Sequence, residues 1–134
     1  MPMSRIIGPF SPNWFPKPTF VVGEVQEADP TAYKRTTVLS YTVPYGKKAH
    51  LILVRIGAMS SDWYIEVKIN GNKVYEFQAY PWERDTQYYT CCGGTRGFPL
   101  AYITADGGET IEVAIYPTLN FSYGVGATAM LAVW

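Results

Sequence analysis

Six of the ten prolines in this chain of 134 residues fall within the first 30, at Pro2, Pro9, Pro12, Pro16, Pro18 and Pro30. Proline has no backbone N–H and holds the residue before it in extended geometry. Residues 1–18 can therefore build neither a helix nor a central strand. The same segment carries Ile6, Ile7, Phe10, Trp14 and Phe15. A free tail is ordinarily polar, so an extended segment this apolar is expected to lie against a surface. The organisation read from this is an N-terminal arm, residues 1–18, and one domain over 19–134. A chain of this length can bury a core without metals or several disulfides.

The body reads as short strands. Thr36 to Val43 alternates, with Thr37, Leu39, Tyr41 and Val43 on one face, and Pro44-Tyr45-Gly46 turns the chain. Ala49 to Ile56 is apolar on both faces, with Leu51 and Leu53 on one and Ile52, Val54 and Ile56 on the other. It is expected to be a central strand. Trp63, Ile65, Val67 and Ile69 alternate with Tyr64, Glu66 and Lys68, and Asn70-Gly71 predicts a tight primed hairpin. The return strand, Lys73 to Ala79, places Tyr75 and Phe77 inward, and Glu66, Lys68 and Glu76 are expected on a wet outer face. Residues 80–97 read as an aromatic loop ending in glycines, of a length that is usually functional. Phe98–Thr104, Glu109–Tyr116 and Val125–Trp134 read as strands, as does Thr19–Gln26, with Phe20 and Val22 apolar on one face. The sum is seven or eight antiparallel strands, an all-β chain of β-sandwich or jelly-roll type with an extended arm. No helix stands out, and only Thr31–Arg35 or Glu83–Tyr89 leaves room for a short helical stretch.

Charge and cysteine usage narrow the function. Eleven basic and eleven acidic residues give zero formal charge, so no nucleic acid partner is expected. Lys47-Lys48 and Lys34-Arg35 read as solvated turn residues. The opening residues contain no apolar run of signal-peptide or membrane-span length, which predicts folding in a cytoplasm and no membrane partner. Adjacent Cys91 and Cys92 are expected to be reduced thiols, and two cysteines with one distant His50 make no zinc site. No nucleophile–base pair, phosphate loop or distinctive carboxylate pair stands out, with Glu66, Glu76, Glu109 and Glu112 all expected to face solvent. The reading is no enzyme, no cofactor and no metal.

Tyrosine and tryptophan together number 15, many of them in loops. Protein interfaces select such residues, and sugar-binding sandwiches stack them on pyranose rings. Tyr80, Trp82, Arg84, Tyr88 and Tyr89 are accordingly candidates for contact with a partner or a sugar, beside the arm anchors Ile6, Ile7, Phe10, Trp14 and Phe15.

The stretch Thr37-Val38-Leu39-Ser40-Tyr41-Thr42-Val43-Pro44-Tyr45-Gly46-Lys47-Lys48-Ala49 resembles the opening strand–turn–strand of small jelly-roll proteins of tailed phages and other viruses. Asp106-Gly107-Gly108-Glu109-Thr110-Ile111-Glu112-Val113 resembles their late strand. The two cover about 20 of 134 residues, and sugar-binding modules and trimeric receptor-binding heads share them. The resemblance implies a virion structural protein: a head decoration, cement, spike or fibre subunit, often a homotrimer. It would be made in the host cytoplasm and bound to the major capsid or other virion proteins. The expected mechanism is mechanical, with the arm and residues 80–97 clamping neighbouring subunits. The alternative is a carbohydrate- or receptor-binding head that uses Trp82, Tyr88 and Tyr89 as its stacking platform.

Overall fold

The alternating body resolves into antiparallel strands, seen in a computed structural model that describes residues 17–27, 30–57, 63–79, 86–90, 103–120 and 124–134. The strands are β1 (Thr19–Glu27), β2 (Thr36–Thr42), β3 (Lys48–Gly57), β4 (Trp63–Ile69), β5 (Asn72–Ala79), β6 (Thr86–Thr90), β7 (Thr104–Asp106), β8 (Thr110–Pro117) and β9 (Val125–Val133). One layer runs β1-β9-β3-β6, with the three-residue β7 also paired to β3, and the other runs β2-β8-β4-β5. The two layers make a β-sandwich, and no helix occurs among the described residues. Residues 1–16, which hold all five arm anchors, lie outside the described residues.

Each layer turns one apolar face inward, as period-2 patterning requires. Leu51, Val54, Ile56, Trp63, Ile65, Val67, Ile111, Val113, Ile115, Ala129 and Leu131 are buried between the layers, and Tyr75 and Phe77 pack against them from partly buried positions. The Asn70-Gly71 turn has φ of 52° and 82°, the left-handed pair a primed hairpin demands. Asn70 also accepts the Thr110 N–H through its Oδ1 at 2.9 Å and donates its own N–H to the Thr110 carbonyl at 2.9 Å, which ties the β4–β5 hairpin to the start of β8.

Two bulges shift the faces that strict alternation predicts. In β2, Thr37 pairs with Ala114 and Leu39 with Val113, so Val38 is the extra residue. Val38 and Leu39 are consequently both buried, while Thr37 is exposed. In β3, Leu51 pairs with Leu131 and Leu53 with Met130, which leaves Ile52 extra. Leu51 thereby joins Val54 and Ile56 in the core, and Leu53 moves to the outer side.

Local expectations are changed or made definite at four places. Glu66 is not on a wet face but only 2% exposed, because side chains from another connection cover it. Within 80–97, residues Thr86–Thr90 form β6 and pair with Leu53–Gly57, so this part is strand and not helix. Ala32-Tyr33 is a turn, closed by the Lys34 N–H to the Thr31 carbonyl at 3.0 Å, at one of the two places where the sequence leaves room for a short helical stretch. Of the strand expected at Phe98–Thr104, residues 98–102 lie outside the described residues; strand runs from Thr104 to Asp106 and a turn follows at Gly107-Gly108.

Candidate functional site

The two outer faces of the sandwich differ in chemistry. On the β2-β8-β4-β5 layer a cation–carboxylate–aromatic cluster is built around Glu66. Cross-strand pairing sets Glu66 opposite Glu76 on β5 and Ala114 on β8, and sets Tyr64 beside Tyr116. Two carboxylates directly opposite repel each other, so the pair needs cations. Arg35 Nη2 donates to Glu66 Oε2 at 3.2 Å, Lys73 Nζ stands 3.7 Å from the same oxygen, and Lys68 Nζ stands 3.7 Å from Oε1. Lys73 also reaches Glu76 Oε2 at 3.3 Å, and that oxygen accepts the Tyr116 hydroxyl at 2.7 Å.

Arg35 is delivered by the connection between β1 and β2. The Tyr33 N–H donates to the Pro117 carbonyl at 2.7 Å and the Ala32 N–H to Asn120 Oδ1 at 2.8 Å, which pins the turn to the end of β8. Tyr33 itself has φ of 62°, a left-handed conformation that a bulky side chain adopts only under strain. Its carbonyl takes a second Arg35 donor, Nη1, at 2.9 Å. The guanidinium carbon then lies 3.8 Å from the Tyr116 ring centre. Tyr64 stacks on Tyr116 at 5.4 Å between centroids, and Tyr33, still 62% exposed, tilts toward it at 6.4 Å.

Burial, reinforced by the hydrogen bond to Glu76, pushes the Tyr116 hydroxyl up to about 12. A hydroxyl whose pKa rises on folding contributes stability that is complete below its unfolded pKa and is lost as pH climbs through the folded value. Tyr116 should therefore cost the fold about 2 kcal/mol between pH 10 and pH 12. Denaturant melts across that window should fall less steeply for Tyr116→Phe than for the wild type. Parallel curves would remove the claim.

The outer face of the β1-β9-β3-β6 layer is apolar along one half. Its rows are Phe20–Ala132–His50, then Val22–Met130–Leu53, then the polar Glu24–Thr128–Arg55. Phe20 is 57% exposed, Val22 51% and Trp134, at the rim, 44%. Phe20 and Val22 thus share a face as expected, but that face looks outward, while Val21 and Val25 pack on the core. His50 is buried in this half, beside a depression lined by Gly46, Lys48, Thr104 and Trp134, and burial lowers its pKa.

Of the residues singled out from sequence, Ile6, Ile7, Phe10, Trp14, Phe15, Tyr80, Trp82 and Arg84 lie outside the described residues, as do Cys91 and Cys92. Tyr88 and Tyr89 lie on β6, their backbones opposite Arg55 and Val54. The Arg35–Glu66–Tyr116 cluster was not foreseen as a unit. Its one sequence signal was the run of outer-face positions Tyr64, Glu66 and Lys68. Among the described residues no group of His, Cys, Asp and Glu is placed to hold a metal ion, and no helix is long and apolar enough to cross a membrane. No protein-family model matches the chain, and neither the curated proteins nor the solved structures contain a significant match.

Proposed function

We propose that this protein is a virion structural subunit, a jelly-roll decoration or cement protein that assembles as a homotrimer and grips a capsid shell through its N-terminal arm, residues 1–18. The strand order carries the reading. With the short β7 set aside, the strands pair β1 with β9, β2 with β8, β3 with β6 and β4 with β5. Such nested pairing is what a long hairpin produces when it is wound into two four-stranded sheets, the architecture shared by capsid and lectin domains. The apolar half-face at Phe20, Val22 and Trp134 adds a surface suited to protein contact. In this role the sandwich is a scaffold and the chemistry is burial of surface, with no bond made or broken.

Binding to shells purified without this protein, followed by cosedimentation, tests the proposal. The full chain should occupy the shells, and removing residues 1–18 should weaken occupancy while far-UV circular dichroism and melting of the body stay intact. Equal occupancy by both would defeat it.

A second reading, a carbohydrate- or receptor-binding head, is favoured by one observation: the exposed Tyr33 ring, carried on a backbone with φ of 62° and tilted toward Tyr116 at 6.4 Å. A glycan array would separate the readings. A sugar response abolished by Tyr33→Ala supports the head, and silence supports the cement protein.

A further inference from the structure

We infer that the apolar outer half-face of β1-β9-β3 is the seat for residues 1–16 of a neighbouring copy, so that subunits join by exchanging arms. The inference rests on reading residues 1–18 as an arm and adds where that arm lands. Phe20, Val22, Met130, Leu53, Ala132 and Trp134 share this patch, and the polar row Glu24–Thr128–Arg55 ends it on one side. The patch spans three strands and about two to three residue rows, roughly 10 Å by 14 Å. Four or five residues of extended chain cover it. Residues 1–16 reach about 50 Å when extended, and they supply Ile6, Ile7, Phe10, Trp14 and Phe15 with only Arg5 charged.

The exit of the arm selects a neighbour over the same domain. Thr19 pairs with Val133, so the chain leaves the sheet at the Trp134 rim, beside the apolar rows. Doubling back at once across its own face, so that Trp14 and Phe15 land there, would need a tight reversal within a few residues of Thr19. Pro16 and Pro18 hold Phe15 and Lys17 extended and bar the helical dihedrals such turns use. The chain is thus aimed past its own patch where it leaves β1, which favours the face of a neighbour. Each copy then offers one arm and one face, a head-to-tail contact that closes as a ring when the rotation allows, for example with three copies.

The test uses the full chain with Trp14→Ser, spoiling the arm, and separately Val22→Lys, spoiling the face. Sedimentation over a concentration series reads self-association, and thermal melts report folding. Both substitutions should weaken self-association at least tenfold with the melt preserved. Mixing the two variants should restore a one-to-one pair, since an intact arm meets an intact face. A monomeric wild type, or wild-type association in both variants, overturns the inference. So does a mixture that stays monomeric, and so does loss of association by Val22→Lys alone, which would mean face-to-face pairing. Were Val22→Lys to unfold the chain, Val22→Ser keeps the measurement open. Arm exchange without shell binding would sink the virion reading and leave this one standing. Loss of shell occupancy in Trp14→Ser, with self-association unchanged in both variants, would do the reverse.

Discussion

Replacing Arg35 with alanine is expected to lower the unfolding free energy by about 2 kcal/mol at neutral pH, somewhat less than the loss of a fully buried ion-pair partner because the arginine is partly exposed. Glu66 is buried and takes its one charge-assisted hydrogen bond among the described residues from Arg35, at 3.2 Å. Lys68 and Lys73 stand farther off, each at 3.7 Å, and remain partly solvated, so they offset only part of the loss. The effect should depend on pH. Burial by itself pushes the Glu66 carboxyl up, but the Arg35 hydrogen bond and the charges of Arg35, Lys68 and Lys73 outweigh it and hold the group below its ordinary value. A carboxyl depressed on folding stabilises the fold above its unfolded pKa, about 4.3, and that contribution disappears as pH falls through the lower folded value. The gap between wild type and Arg35→Ala should thus be full at pH 7 and shrink well below pH 4. In a Glu66→Gln background the same arginine substitution should cost less than half as much. A gap unchanged by pH and by Glu66→Gln would mean that Arg35 acts through packing on Tyr116 alone.

This cluster also marks where sequence reasoning stops. Alternation correctly sets Tyr64, Glu66 and Lys68 on the outer face of β4, because side-chain period in a strand is a local property. Whether that face is wet depends on what arrives from elsewhere, and Arg35 comes from 31 positions away in the chain. Nothing in the composition of Thr31–Arg35 signals that Tyr33 adopts left-handed geometry to deliver it. The Asn70-Gly71 hairpin was legible because its two residue types are those that tolerate positive φ. The bulges at Val38 and Ile52 were not, since an extra apolar residue in an apolar run leaves no trace until its partner strand is known. β6 was hidden for a related reason. Its residues, Thr86–Thr90, are polar or aromatic and acquire strand geometry only by pairing with Leu53–Gly57.

Gly23→Ala should destabilise the sandwich by about 3 kcal/mol, the upper end of the overpacking range, because the obstacle is main chain. A Cβ at Gly23 would overlap the carbonyl oxygen of Val38 and lie 2.9 Å from Leu39 Cβ and 3.0 Å from Leu39 Cα. Val38 is the extra residue of the β2 bulge, so the feature that invisibly reset the β2 faces also presses β2 against β1 and requires a residue without a side chain there. Backbone strain is not the cause, since Gly23 is absent from the positive-φ glycines and pairs regularly with Ala129. Gly126→Ala is the control: a Cβ there meets nothing within 4 Å, so its melt should stay close to wild type. Relief of the Gly23 clash requires β1 to move away from β2, and β1 carries Phe20 and Val22 with it. Gly23→Ala should therefore weaken self-association together with stability, whereas Val22→Lys should weaken self-association alone. Denaturant melts paired with sedimentation distinguish these patterns. A Gly23→Ala protein as stable as Gly126→Ala would mean that β1 and β2 do not meet at the bulge, and the arm's exit would then lose the fixed strand on which its direction depends.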